Sequence, residues 1–402
     1  MPSTRVIALT LTGLISSVLL AGCSSSPPPT TAIIANPVAA SPSETAASTP
    51  SASPSATATA TAAETPTSAP AVTLPIAGNP HGGAYVPPAA QAVDTSHPTR
   101  VVGDGTPASC TSAAVVAAVA AGGVITFSCG PDPVVITMTA TAKVRNASSE
   151  VVLDGGGKVT LSGGGQRRIL YMDTCDPAQT WTTSHCQDQD EPRLVVQNLT
   201  FEDGNSTGQT YAGGGGGAMF VNGGQLKVVD SRFVGNRCDS TGPDLGGAAI
   251  RDLEQWQGVP VYIVDSTFGG APGLGGVCSN GGALSSIGVS WDVINSVMTY
   301  NSAIGVGANP AQAGTPGGGS GGAIYTDGDQ YTVTIAGSII EDNKAREGGG
   351  ALFFVSDDHT GTLAVRSSTL RGNPSDGFFT AGYPGIFFLG AGKPDIQDSS
   401  LD

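Results

Sequence analysis

The chain is poor in charge, in aromatic rings and in histidine. Asp, Glu, Lys and Arg make up 12% of its 402 residues, and only 17 of these are Lys or Arg. Those 17 are scattered, so no basic patch exists to neutralise phosphates, which speaks against a nucleic-acid partner. The formal charge of −15 favours cations, neutral glycans or basic proteins instead. There are four His, at 81, 97, 185 and 359, and none joins a Ser/His/Asp or Cys/His arrangement. No CxxC or Cys/His spacing suggests zinc. Beyond the first 23 residues no apolar run could span a bilayer. One formal G-x-S-x-G match, Gly318 to Gly322, lies in a Gly-rich bend and lacks the strand and helix a nucleophile elbow needs.

What the chain has is glycine, 58 residues without a collagen period, and a repeat. A large apolar residue closes each copy: Phe201, Phe233, Phe268, Met298, Ile340, Leu370 and Leu401. Apolar residues usually precede it by five and seven positions, as Ile335 and Val333 precede Ile340. A small or polar residue stands three before it, and Asn often follows three after, at Asn236, Asn301, Asn343 and Asn373. Between these phrases comes a Gly-Gly-Ala phrase, at Gly216, Gly246, Gly281, Gly321 and Gly349. Spacings of this length indicate a solenoid or array, and the period-two alternation indicates strands. The expected fold is all-β, a right-handed, single-stranded parallel β-helix in which stacked coils bury one continuous core. Gly-Gly-Ala fits a tight bend. The recurring Asn fits a left-handed turn position, and stacked Asn side chains can bond in a ladder.

The chain divides into 1–23, 24–75, 76–106 and 107–402. Residues 1–23 read as a secretory signal, with Arg5 before an apolar run. Leu20-Ala21-Gly22-Cys23 resembles the lipobox of bacterial lipoproteins, which implies a lipidated Cys23, a membrane partner and an exported domain anchored on the cell envelope. Residues 24–75 are nearly all Ser, Thr, Pro and Ala and read as a disordered tether. Residues 76–106 form a leader with little periodic signal. Thr111 to Ala121, closed by Gly122, reads as a short N-terminal capping helix. The six remaining Cys suggest disulfides in an exported chain. The simplest set joins Cys110 to Cys129, Cys175 to Cys186, and Cys238 to Cys278, the last across neighbouring coils.

Together, residues 107–402 resemble the parallel β-helix proteins of bacterial envelopes, the pectin-lyase-like superfamily. The phrases Gly216–Met219, Gly281–Leu284, Gly321–Ile324 and Gly349–Leu352, with Phe233 to Asn236, look most like the repeats of chlamydial-type polymorphic outer membrane proteins. That resemblance implies a surface-exposed, adhesin-like role and sets a further expectation, since lyases of the superfamily hold Ca²⁺ with several Asp on one face. Here the loops after successive Gly-Gly-Ala phrases carry Asp327 and Asp329, then Asp357 and Asp358, which stacking would bring to one cation, Ca²⁺ accepting 6–8 oxygens. Candidate ligand-binding residues are Trp181 in the long loop 166–192, Trp256, Asp252, Glu254 and His359. Trp291 falls on the strand period and reads as core. The expected function is binding of a glycan or another surface. The alternatives are a polysaccharide lyase or hydrolase on the same scaffold, and a spacer without ligand.

Overall fold

A computed structural model describes residues 74–210, 214–253 and 256–402. Cys23 and Glu254 lie outside the described residues. The described chain is a stack of coils built from parallel strands, with one α-helix, Ser112–Ala121. Thr111 caps that helix by accepting from the Ala114 amide, and Gly122 ends it at positive φ. Val115 and Val119 face the first coil and are fully buried. The three expected disulfides are all formed.

Most coils contribute two strands to a seventeen-stranded sheet and one to an eight-stranded sheet, while Glu150–Ser162 and Arg193–Glu202 each run as one long strand of the larger sheet. Strand register follows the repeat. Phe233 pairs with Phe201 and Phe268, Met298 with Ile340, and Leu370 with Leu401. The three Phe rings stack at 5.0 and 4.6 Å. Trp291 pairs with Val261 and Val333, is fully buried, and donates its indole N–H to Ser286 Oγ.

Two turn assignments change. The Asn three places after each closing residue is not the left-handed position. That conformation falls on the residue three before, where φ runs from 46° at Asp230 to 61° at Gly337, and on the residue two after, such as Asp342 and Gly372. Asn, Asp and Gly dominate these corners because they tolerate positive φ. The Asn side chains are instead buried and form the ladder. Asn301 Nδ2 donates to Asn343 Oδ1, and Asn343 Nδ2 to Asn373 Oδ1, each at 2.9 Å. A serine ladder runs beside it, each backbone N–H donating to the next coil's hydroxyl from Ser231 to Ser399 at 3.0–3.1 Å.

The first Gly of Gly-Gly-Ala takes positive φ, and a Cβ on the second would meet the next coil, as at Gly322, 2.1 Å from Gly350 O. One copy is shifted by a residue. Ile250 pairs with Met219, so the bend there is Gly247-Ala248-Ala249 rather than Gly246-Gly247-Ala248.

Residues 76–106 lack periodicity because most of them form a strap along the large sheet, and only Arg100–Val102 joins it as a strand. The strap is clasped by side-chain amides. Ala84 exchanges both backbone bonds with Asn295, and Val93 does the same with Gln197. Ala90 is buried against Val229, Val264 and Ile294.

Candidate functional site

The eight-stranded sheet presents two residue rows outward, because alternate positions of a strand face opposite sides. One row, in register from coil to coil, is Lys143, Tyr171, Phe220, Arg251, Ser285, Tyr325, Phe353 and Phe387. The second is Asp173, Asn222, Leu253, Ile287, Asp327, Val355 and Leu389. The first row is buried from Tyr171 to Phe353. A hairpin pairing Val306 and Ala308 with Gly317 and Gly318 brings Asn309 over Tyr325. Asp244 sits beside it and accepts from the Asn309 amide at 2.7 Å.

Beyond this cover the face opens into a groove of about 870 Å³. Its floor is apolar: Leu253, Ile287, Val355 and Leu389 with Phe353, Phe378 and Phe387. The Tyr325, Phe353 and Phe387 rings stack at 5.0 Å intervals, and Phe378 stands edge-on to Phe387 at 4.9 Å. Asp244, Asp327 and Asp357 line the same groove, with Arg251 and Asn309. Asp327 Oδ2 accepts from the Tyr325 hydroxyl and the Asn309 amide, both at 2.9 Å, and Oδ1 accepts from the Gly328 N–H.

Burial pushes the Asp327 carboxyl above its ordinary value. Asp357 and Asp244 push it the same way, while its hydrogen bonds from Tyr325 and Gly328 oppose. Burial likewise raises the Tyr325 hydroxyl. Arg251 is 1% exposed, and burial lowers it to about 10 despite the carboxylates nearby. Its Nη1 donates to Ser285 Oγ at 2.6 Å and its Nη2 to the Asp244 carbonyl. Its Nε has no partner among the described residues.

The structure separates the sequence candidates. Asp327 and Asp357 reach the groove, while Asp358 is held in its own turn by Ser356 and Thr360. The stacking that was to unite four Asp fails because Asp327 is in register with Ser286's neighbour Ile287, on a strand, while Asp357 lies two residues beyond the strand end Val355. Asp329 and His359 are exposed outside the groove lining. Among the described residues no group of three or more His, Cys, Asp or Glu is arranged to hold a metal ion. Asp252 is not a ligand residue of this surface. It occupies an inward strand position, between Val221 and Ser286, and is fully buried. Trp256 opens a short turn away from the groove lining, and Trp181 is 41% exposed in the connection after strand Leu170–Asp173, which interrupts the expected 166–192 loop. Asp244, Asn309 and the Phe row were not singled out from sequence. The Phe row was legible in principle, since Tyr325, Phe353 and Phe387 each follow the apolar residue after a bend. Asp244 and Asn309 come from irregular connections that carry no period.

A further polar cleft of about 370 Å³ opens at the other end of the sheet, lined by Lys143, Arg168, Tyr171 and Asp176. It repeats one local unit of the groove. The Tyr171 hydroxyl bonds Asp173 two residues on, at 2.9 Å, and its ring stacks on Phe220 of the next coil at 5.6 Å.

No protein-family model, curated protein or solved structure matches the chain.

Proposed function

We propose that the chain is an exported, lipid-anchored β-helix protein that binds a glycan on the cell envelope through the groove at Phe353 and Phe387. The supporting observation is the pairing of an apolar, aromatic floor with carboxylates in one concave site. An apolar floor packs against the C–H faces of a sugar, and the carboxylates accept from its hydroxyls. The likeness to the pectin-lyase-like superfamily and to chlamydial-type repeats belongs to this reading, as does an adhesin-like role. Export is supported by three disulfides, which persist in oxidising compartments. In this reading Cys23 is lipidated and 24–75 is the tether.

A lyase would need a Lys or Arg side chain free to take a proton from substrate in its neutral form. Arg251, the only cation in the groove lining among the described residues, is committed to Ser285 and the Asp244 carbonyl, which favours holding over cleavage. Retention on a glycan panel, read together with unsaturated-product absorbance and reducing ends, tests this. Retention lost in Phe387→Ala, without product, supports binding. Product formation supports the enzyme reading, and no retention on any glycan leaves a spacer.

A further inference from the structure

Building on the groove as the glycan site, we infer that its ligand carries protonated amines, an amino sugar rather than a neutral or acidic one. Three carboxylates line the groove, and they come from three separate segments: Asp244, Asp327 and Asp357. The opposing cation is not offered to a ligand, because Arg251 is buried and its Nη atoms donate to Ser285 and to the Asp244 carbonyl. Among the described residues none of the three carboxylates forms a salt bridge. Their hydrogen-bond partners are neutral, namely Asn309, Tyr325 and the Gly328 amide. An empty groove therefore sets three carboxylates against one buried guanidinium, a net negative charge beside Phe353, Phe378 and Phe387. An ammonium on a sugar meets these carboxylates while the body of the sugar lies on the apolar floor. A uronate placed there would face like charge. The sugar ring, not the amine alone, is selected because the floor is wide and apolar.

The test uses the full chain and three oligosaccharides of equal length, with glucosamine, N-acetylglucosamine and galacturonate units, titrated calorimetrically below the amine's pKa. The glucosamine oligomer should bind about tenfold tighter than the acetylated one, and the galacturonate oligomer more weakly still. Asp357→Asn and Asp244→Asn should each remove most of that advantage. Asp329→Asn, exposed and outside the groove, should leave it intact. Equal or tighter binding of the acetylated or acidic oligomer overturns the amine inference while the glycan reading stands. An amine preference that survives both groove variants also overturns it, by assigning the preference to the acidic surface at large. If no oligomer binds, the amine inference falls, and retention on the wider glycan panel decides the glycan reading separately.

Discussion

Asn343 accepts twice from Asn301, at its backbone N–H and its side-chain amide, through a single oxygen. Asn373 then does the same for Asn343. Each Nδ2 also reaches back to a carbonyl of the preceding coil, as Asn343 does to Met298 O at 2.8 Å. Neighbouring coils are thus tied at a corner where strand pairing cannot serve. Replacing Asn343 with Leu would strand the Asn301 N–H and take a donor from the Met298 carbonyl in a buried site, while the Asn301 amide keeps its bonds to Phe268 O and Thr299 O. Each unsatisfied buried group costs about 1–3 kcal/mol, so the loss should total several kcal/mol. Urea denaturation checks it, and a change under about 1 kcal/mol would contradict the ladder's role.

Ile335 and Val365 are directly paired on neighbouring coils, and both are fully buried. Asp at either position would place an uncompensated charge in the core, at a cost of several kcal/mol or more. Loss of the cooperative melt, or failure to accumulate folded protein, is expected. Arg366, one residue on, is only partly buried, and Arg366→Ala should be far milder. Similar melting curves for the two variants would show the wrong face pointing inward.

How much of this was legible follows from where periodicity reaches. The closing residues and their apolar partners stack as the repeat implies, because a coil that must bury one face leaves a fixed pattern. The φ > 0 corners were assigned to the Asn three after each closing residue instead of the positions three before and two after, since Asn suits both a left-handed turn and a buried ladder, and composition alone does not separate them. The serine ladder went unread because Ser is equally at home on a surface. The groove was half legible. Asp327 and Asp357 were read as one acidic cluster, but the residues that join Asp327 to its surroundings, Asn309 and Asp244, sit in connections of unequal length whose path only tertiary packing fixes.

The strap gives a prediction about dynamics. Ala84 and Val93 are each held by a two-way amide clasp, from Asn295 and Gln197. Each hydrogen bond contributes roughly 0.5–1.5 kcal/mol, so Asn295→Ala with Gln197→Ala should loosen 79–95 by a few kcal/mol. Hydrogen exchange should quicken there while protection in the coil strands persists. Uniform loss of protection would mean that the strap and the coils open as one unit.

Metal dependence can be tested directly. Asp358 spends both oxygens on its own turn, and Asp327 and Asp357 are the only two of the four sequence candidates that line the groove. Asp244 lines it too, yet among the described residues no three such groups converge as metal ligands, and fewer fall short of the 6–8 oxygens that Ca²⁺ takes. Millimolar Ca²⁺ and chelator should therefore leave the melting temperature unchanged. A Ca²⁺-dependent rise, abolished by Asp327→Asn, would restore a shared cation site.

The pH dependence of stability isolates Asp327. Its carboxyl lies above the ordinary 3.8 in the folded chain, chiefly through burial and then through Asp357 and Asp244. Between the unfolded value and the raised folded value the native state therefore holds more protons than the unfolded state. Stability must fall as pH rises through that window, because the slope follows the protons bound by the unfolded state minus those bound by the native state. Asp358, whose carboxyl is lowered by its bonds to Thr360, works in the opposite direction. Asp173, Asp230, Asp265 and Asp292 share the sign of Asp327. The total slope of the wild type is thus a sum, and the informative quantity is the difference between wild type and Asp327→Asn. Asn keeps an acceptor for Tyr325 but does not ionise. The variant should match or trail the wild type at acid pH and gain on it as pH climbs above the ordinary carboxylate range. Asp357→Asn should produce a smaller gain of the same sign, by removing one like charge from beside Asp327. Parallel stability curves for wild type and Asp327→Asn across that range would show that the groove does not strain this carboxylate, and the case for a site awaiting a cationic ligand would weaken with it.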